Sequence, residues 1–230
     1  MPAVTEKTKT KPLLIRDCGL ADYRQILKLQ HELRDKRRAG QIPNTVLVVE
    51  HPPVITLGAR KSANKLLLSQ NDIKKKGIDV VEIRRGGGIT AHNPGQIVFY
   101  PIMHLQQLKL GISEYVLVLE KIGINLLRQL GVQSQIRKGL PGLWVGDKKI
   151  ASIGVRVSKS VTYHGMAINI HNDLDIFDLF VPCGLEGVQM TSVYKQTGKE
   201  HPMPQVKNNL TELLIKHFSS KGLAEYEKRS

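Results

Sequence analysis

Three short stretches concentrate residue types that do chemistry. The first runs Arg85-Gly86-Gly87-Gly88-Ile89-Thr90-Ala91-His92-Asn93-Pro94-Gly95-Gln96. Three consecutive glycines remove side-chain bulk where backbone must pass close to a ligand or take positive φ, and their amides are candidates for an anion-binding nest. The stretch lacks the Gly-Lys-Ser/Thr ending of a nucleotide-hydrolase phosphate loop. It also lacks the following helix of a dinucleotide fingerprint. A plain turn is the competing reading, and Arg85, Thr90, His92 and Gln96 around the glycines favour a site. The second stretch is Lys148-Lys149-Ile150-Ala151-Ser152-Ile153-Gly154-Val155-Arg156. Strict alternation puts Lys149, Ala151 and Ile153 on one face and Ile150, Ser152 and Gly154 on the other. A lysine on an otherwise apolar face is partly desolvated and tuned for chemistry, against a solvated lysine at a hairpin end. The third is Val181-Pro182-Cys183-Gly184-Leu185. Pro and Gly put Cys183 on a tight bend, which suits a nucleophile better than a core thiol. Its thiolate needs a nearby cation, and Lys149 reaches it only through folding. His164-Gly165 lies in a further extended stretch, where a histidine reads first as hydrogen-bonded structure.

Positioning these residues falls to a mixture of strands and helices. Apolar residues at Ile26, Leu27, Leu29 and Leu33 predict an amphipathic helix over 22–38, with Arg34 to Arg38 as a solvated cationic end before Gly40. The β-branched run 45–50 predicts a buried strand, broken by His51-Pro52-Pro53 and resumed over 54–58. Short elements come after it: a helix over 71–76 stopped by Gly77 and a strand over 80–83. Residues 97–102 predict a strand, and Pro101 beside it marks an edge or a bulge. A helix over 115–130 is capped by Ser113 and ended by Gly131. Residues 143–145 and 149–157 read as a hairpin around Gly146-Asp147. A strand over 161–170 and a helix over 211–218 complete the chain. The absence of a strict βαβ rhythm predicts an α+β fold with a mixed, largely antiparallel sheet and flanking helices. One domain over 13–230 is expected, after a loose polar tail over 1–12.

Charge and composition narrow the classes of function. Lys and Arg number 34 against 20 Asp and Glu, a net charge of +14. That excess fits acidic partners such as nucleic acid, an acidic protein or a phosphorylated carrier, or serves solubility alone. Trp144 is the only tryptophan, and Phe and Tyr are few, so stacking platforms for single strands are sparse. No helix-turn-helix, zinc-finger or RNP signature is present. Cys18 and Cys183 can make neither a disulfide scaffold nor a zinc site alone, and no cluster of metal-ligand spacing occurs. Two reduced cysteines suit a cytoplasmic protein. The start is polar, so no secretory signal is expected, and no run of about 18 apolar residues predicts a membrane span.

Taken in order, EHPPVITLG (50–58), RGGGITAHNPGQ (85–96), KIASIGVR (149–156), HGMAIN (164–169) and VPCGL (181–185) give the chain its family likeness. It resembles the octanoyltransferases of the lipoate pathway, over about residues 13–218. The resemblance implies the fold shared by biotin protein ligases and lipoate ligases. It implies transfer of an octanoyl group from octanoyl-acyl carrier protein, through a cysteine thioester, to a lysine of lipoyl domains. Acceptors would be the lipoyl domains of 2-oxoacid dehydrogenase complexes and the glycine cleavage H protein, with no cofactor, metal, nucleic acid or membrane. The acyl-thioester cysteine falls on Cys183 and its lysine on Lys149. The substrate-lining segments fall on Arg85, Gly86, Gly87, Gly88, Ile89, Thr90, Ala91 and His92, on Ser152, Ile153 and Gly154, and on Gly165, Met166 and Ala167. Two departures stand out: Asn93 replaces a usual Gly, a position where Asn tolerates left-handed backbone, and Gly88 falls at a variable position. The nearest rival is an ATP-dependent lipoate or biotin protein ligase, which needs no cysteine nucleophile. A rival of another class is a non-catalytic basic module for acidic carriers or nucleic acid.

Overall fold

The apolar runs at 45–50 and 97–102 carry no polar alternation, which suits strands covered on both faces. They form adjacent central strands, β2 (Thr45–Glu50) and β6 (Gln96–Ile102), with β6 buried along its whole length. The computed structural model describes residues 13–181 and 187–218; the expected tail over 1–12 and Cys183 lie outside them. A seven-stranded sheet has the order β1-β2-β6-β10-β9-β8-β7. Its other strands are β1 (Leu14–Leu20), β7 (Gln135–Arg137), β8 (Leu140–Val145), β9 (Lys148–Ser158) and β10 (Val161–Asn169). Among these strands only β1 on β2 is parallel; the remaining pairs are antiparallel. Pro52 and Pro53 lack ladder donors, and after them the chain leaves this sheet for a second one. That smaller sheet has the order β4-β3-β5, from β3 (Val54–Leu57), β4 (Asp79–Glu82) and β5 (Thr90–His92). The architecture is the mixed, largely antiparallel α+β arrangement predicted.

Helices cover both faces of the large sheet. On one face lies α1 (Tyr23–Arg38), started by Asp22, which accepts the Gln25 N–H at 2.9 Å. Its Ile26 packs with Leu47, Val49, Val98, Tyr100 and Ala167. The end of α1 is not the wholly solvated terminus predicted. Arg37 is buried and donates to Asn44 and Gln107, tying the helix to the start of α3 (Leu105–Leu108). On the other face, α4 (Ile112–Gln129) and α6 (Met203–Phe218) close the main core over Phe99, Met166 and Ile168. Ser113 does not cap α4. Glu114 accepts the Gly111 N–H at 2.6 Å and starts the helix at Ile112. The last helix begins earlier than the apolar spacing predicted, with Pro204 in its first turn, where a missing N–H costs nothing. Two short helices, α2 (Gln70–Lys75) and α5 (Val193–Thr197), complete the set.

Among the irregularities of the large sheet, two turn a side chain out of the regular pattern. Pro101 lies in the central strand β6, so it marks a bulge rather than an edge. The regular pairing of β10 with β6 stops at Met166↔Phe99. Beyond it His164 takes φ 58, and its N–H donates to Gln30 at 2.7 Å. The second irregularity is in the β8–β9 hairpin, whose register slips between Leu143↔Ala151 and Trp144↔Lys149. One extra residue in β9 sends Ile150 and Ala151 both into the main core and turns Lys149 onto the opposite face.

Candidate active site

Between the two sheets lies a cavity of about 220 Å³, larger than the roughly 150 Å³ that admits a benzene ring. The residues that the sequence set apart converge on it: Arg85 to Thr90, His92, Lys149, Ser152 to Gly154, and Gly165 to Ala167 all line it. Ala91 does not. On β5 the side chains alternate, so Thr90 and His92 face the cavity while Ala91 joins Ile55, Ile89 and Phe180 in a separate core.

Arg85, which lines the cavity, also braces the glycine loop. It is 7% exposed, and its guanidinium donates to the carbonyls of Gly86, Gly88 and Thr56 at 3.1, 2.6 and 3.0 Å, and to Thr56 Oγ1 at 2.8 Å. A planar fork of fixed donors suits such backbone gripping, so Arg85 holds the glycine loop in shape. The loop's value as an anion nest is correspondingly reduced, because the Gly86 N–H is spent on Val155 O at 3.0 Å. Gly154 makes the approach possible: a Cβ there would stand 2.7 Å from Arg85 Cδ and 3.0 Å from Gly86 O. Asn93 does not use the left-handed region that an Asn-for-Gly exchange suggested; Gly95 does, with φ 86. The Asn93 side chain is buried, donates to Asp173 O at 2.7 Å and accepts from Asn172 at 3.0 Å.

Three buried histidines and two tyrosines form one end of the site. His92 Nδ1 lies 2.7 Å from Gln96 Oε1. Gln96 Nε2 already donates to Ala91 O and Asn169 Oδ1, so Gln96 Oε1 accepts and His92 Nδ1 carries the proton. Behind it, His51 Nδ1 donates to Ala21 O at 2.7 Å, which leaves its Nε2 to accept the Tyr100 hydroxyl at 2.9 Å. Burial pulls His92 and His164 down to about 3 and His51 to about 4. All three are neutral at pH 7. Burial also pushes Tyr23 up to about 12 and raises Tyr100. The cavity is therefore walled here by neutral donors and acceptors. His164 Nδ1, aimed by the Pro101 bulge, has no hydrogen-bond partner among the described residues.

Lys149 supplies the charge. It is 3% exposed, with Nζ 5.5 Å from the centre of the Trp144 ring. The hairpin slip puts it on the side of Ser152 and Gly154, which strict alternation had denied it. Lys149 N–H donates to Gln189 O and its carbonyl accepts the Thr191 N–H, both at 2.9 Å. Residues 189–191 thus run beside Lys149, and the Val181 N–H donates to Lys65 O at 2.9 Å. Cys18, on β1, is half-buried, and burial raises its thiol, which opposes thiolate formation. Among the described residues no three His, Cys, Asp or Glu side chains are grouped to hold a metal ion.

Sequence reasoning missed several lining residues, namely Tyr23, Arg60, Val98, Tyr100, Val116 and Pro141. A signal existed for some of them. Val98 and Tyr100 alternate along β6 with Ile97 and Phe99, so they share a face, and Arg60 lies just beyond the 50–58 motif. Tyr23, Val116 and Pro141 come from elements with no local mark of a site.

The sequence and the fold that carry this site are similar to those of known proteins. The lipoyl protein ligase A/B catalytic domain family matches residues 22–215. An octanoyltransferase of Syntrophobacter fumaroxidans is 40% identical over 213 residues, covering 91% of this chain and 93% of its own. Among solved structures, a putative lipoate protein ligase of T. acidophilum superposes with TM-score 0.67 at 19% identity, covering 89% of this chain and 83% of its own. A biotin protein ligase of Aquifex aeolicus gives TM-score 0.51 at 14% identity, covering 96% and 72%. These last two show a shared fold.

Proposed function

The chain belongs to the octanoyltransferases of the lipoyl protein ligase A/B catalytic domain family, and we propose that it carries octanoyl groups from octanoyl-acyl carrier protein to lysines of lipoyl domains through a thioester on Cys183. The observation that carries this reading is a buried lysine, Lys149, inside the cavity built by the glycine loop and β9.

The chemistry begins with the donor, a thioester already activated, so no nucleotide is consumed. The Cys183 thiolate attacks the octanoyl carbonyl, a new C–S bond forms, and the carrier's C–S bond breaks. The carrier thiolate leaves and takes a proton from the Lys149 ammonium, which becomes a neutral amine. The acceptor lysine then attacks the acyl-enzyme as a free amine, the amide C–N bond forms, and the Cys183 thiolate is released. A cation at Lys149 favours that thiolate over the thiol. The attacking amine must also lose a proton. His92 is unsuited to take it, because burial holds it down to about 3, and a base that weak does not compete for an amine proton. We assign the proton to Lys149. The octanoyl chain lies in the cavity against Ile153, Gly154 and Ala167.

Acceptors are the lipoyl domains of 2-oxoacid dehydrogenase complexes and the glycine cleavage H protein, and the net charge of +14 steers acidic partners to the site. Among the described residues no helix is long and apolar enough to cross a membrane, and we place the enzyme in the cytoplasm, as one catalytic domain over 13–230. The test is a transfer assay with a purified lipoyl domain. Octanoyl-acyl carrier protein without ATP gives octanoylated domain; free octanoate with ATP gives none. The reverse pattern would make the protein a ligase.

A further inference from the structure

The strand ladder gives the cavity a measurable length. Ala151 pairs with Ile168, and four residues along β9 Val155 pairs with His164. At about 3.3 Å per residue the two levels stand about 13 Å apart. The Lys149 stem marks the first level, because a Cβ at Gly142 would stand 2.7 Å from Lys149 Cε and 2.2 Å from Ala151 O. Between the levels the paired residues that line the cavity are small, Ser152 with Ala167 and Gly154 with Gly165. A saturated chain with bonds of about 1.5 Å at about 111° advances about 1.25 Å per carbon, so an octanoyl group spans about 9 Å from carbonyl to methyl. With its carbonyl about 3 Å from the Lys149 amine, its methyl arrives at the level of His164.

His164 closes that end. It is 2% exposed, and Tyr23, His92 and Tyr100 around it are buried too. Regular alternation would send its ring away from the Gly154 face, but its φ of 58 turns the ring into the cavity. A histidine seldom takes that backbone. Here it is held by the buried Gln30, which accepts the His164 N–H at 2.7 Å. Local strain that the surroundings enforce in this way marks functional positions. The ring also keeps a buried Nδ1 without a hydrogen-bond partner among the described residues. Covering such a nitrogen with hydrocarbon is unfavourable, and the transfer steps give it no part.

We propose that His164 determines which acyl length the enzyme accepts: its imidazole is a polar floor at the end of the slot, eight carbons reach it, and further methylenes would have to press against an unpaired ring nitrogen. The inference rests on the octanoyl transfer proposed above, with the thioester end of the chain at Lys149.

The test is a series of acyl donors on acyl carrier protein, with a purified lipoyl domain as acceptor and kcat/KM as the readout. The wild type should favour octanoyl over decanoyl by at least about tenfold, the scale on which pockets discriminate a methylene. It should also favour 8-hydroxyoctanoyl over nonanoyl, a chain of equal length, because the hydroxyl pairs with the ring. His164→Gly suits the positive φ and removes the floor. It should bring decanoyl level with octanoyl and erase the preference for the hydroxyl. Should His164→Gly not fold, His164→Asn tolerates the same backbone, draws the polar group back, and should relax the octanoyl preference in the same direction. A wild type that uses decanoyl as well as octanoyl, or a variant that keeps the full wild-type preference, overturns the assignment of His164 while leaving the transferase reading intact. Absence of transfer from every donor removes that reading, and this inference with it.

Discussion

Lowering the pH should unfold this protein well before its carboxylates titrate. His51, His92 and His164 are buried and held to about 4, 3 and 3, against an ordinary 6.5. Below pH 6.5 the unfolded chain binds protons that the folded chain refuses, so folding loses stability as pH falls. Above 6.5 neither state is charged and the stabilisation is fully present. At pH 5 each histidine has cost about 2 kcal/mol, from about 1.36 kcal/mol per unit over one and a half units. The three together reach about 6 kcal/mol, comparable with the whole stability of a typical domain, about 5–15 kcal/mol. The assay is urea unfolding at a series of pH values between 7.5 and 5. Below pH 6 the slope should be about 4 kcal/mol per pH unit, and His92→Gln should reduce it to about 2.7, one proton fewer. A total loss under about 2 kcal/mol by pH 5, one histidine's worth, would show that these rings are not held neutral in the fold.

The same geometry fixes other outcomes. Lys149→Ala should keep the fold yet require a higher pH for Cys183 alkylation; an unmoved profile would contradict the electrostatic role. Gly154→Ala puts a methyl 2.7 Å from Arg85 Cδ, and should cost about 1–3 kcal/mol, read as a melting drop of about 2–4 °C for each, together with slower transfer. Replacing an octanoyl by a hexanoyl donor removes two methylenes at about 0.8 kcal/mol each. The kcat/KM should fall roughly fifteenfold; equal rates would mean that the chain is not held in the cavity.

Much of this was legible in the residues because the physics is local. Unbroken apolar runs at 45–50 and 97–102 could only be covered strands, and Gly146-Asp147 could only turn a hairpin. The glycine loop and the β9 segment were singled out from residue types and the 165–167 segment from the family likeness, and they meet at one cavity. What escaped depended on pairing across strands. The extra residue at Ile150 reverses the face of Lys149, and nothing in β9 alone announces it, because the slip is set against β8. Ala91 was grouped with its neighbours along the chain, but a strand sends alternate residues to opposite sides. Arg85 was marked for the cavity it lines, but its bonds to the carbonyls of Gly86, Gly88 and Thr56, which brace the loop, span up to 29 positions and had no local mark. His51 and Tyr100 bond each other across 49 positions, a separation beyond any local pattern. Pro101 did mark a bulge, but in the central strand, where its missing N–H frees His164 to turn into the cavity.

The central claim is that an octanoyl group rests covalently on Cys183 during transfer. Intact-protein mass spectrometry, after mixing the enzyme with octanoyl-acyl carrier protein and no acceptor, tests it directly. The account predicts one octanoyl adduct, discharged by hydroxylamine or by a lipoyl domain and absent in Cys183→Ser. An adduct that persists in Cys183→Ser, or undiminished transfer by that variant, would contradict it.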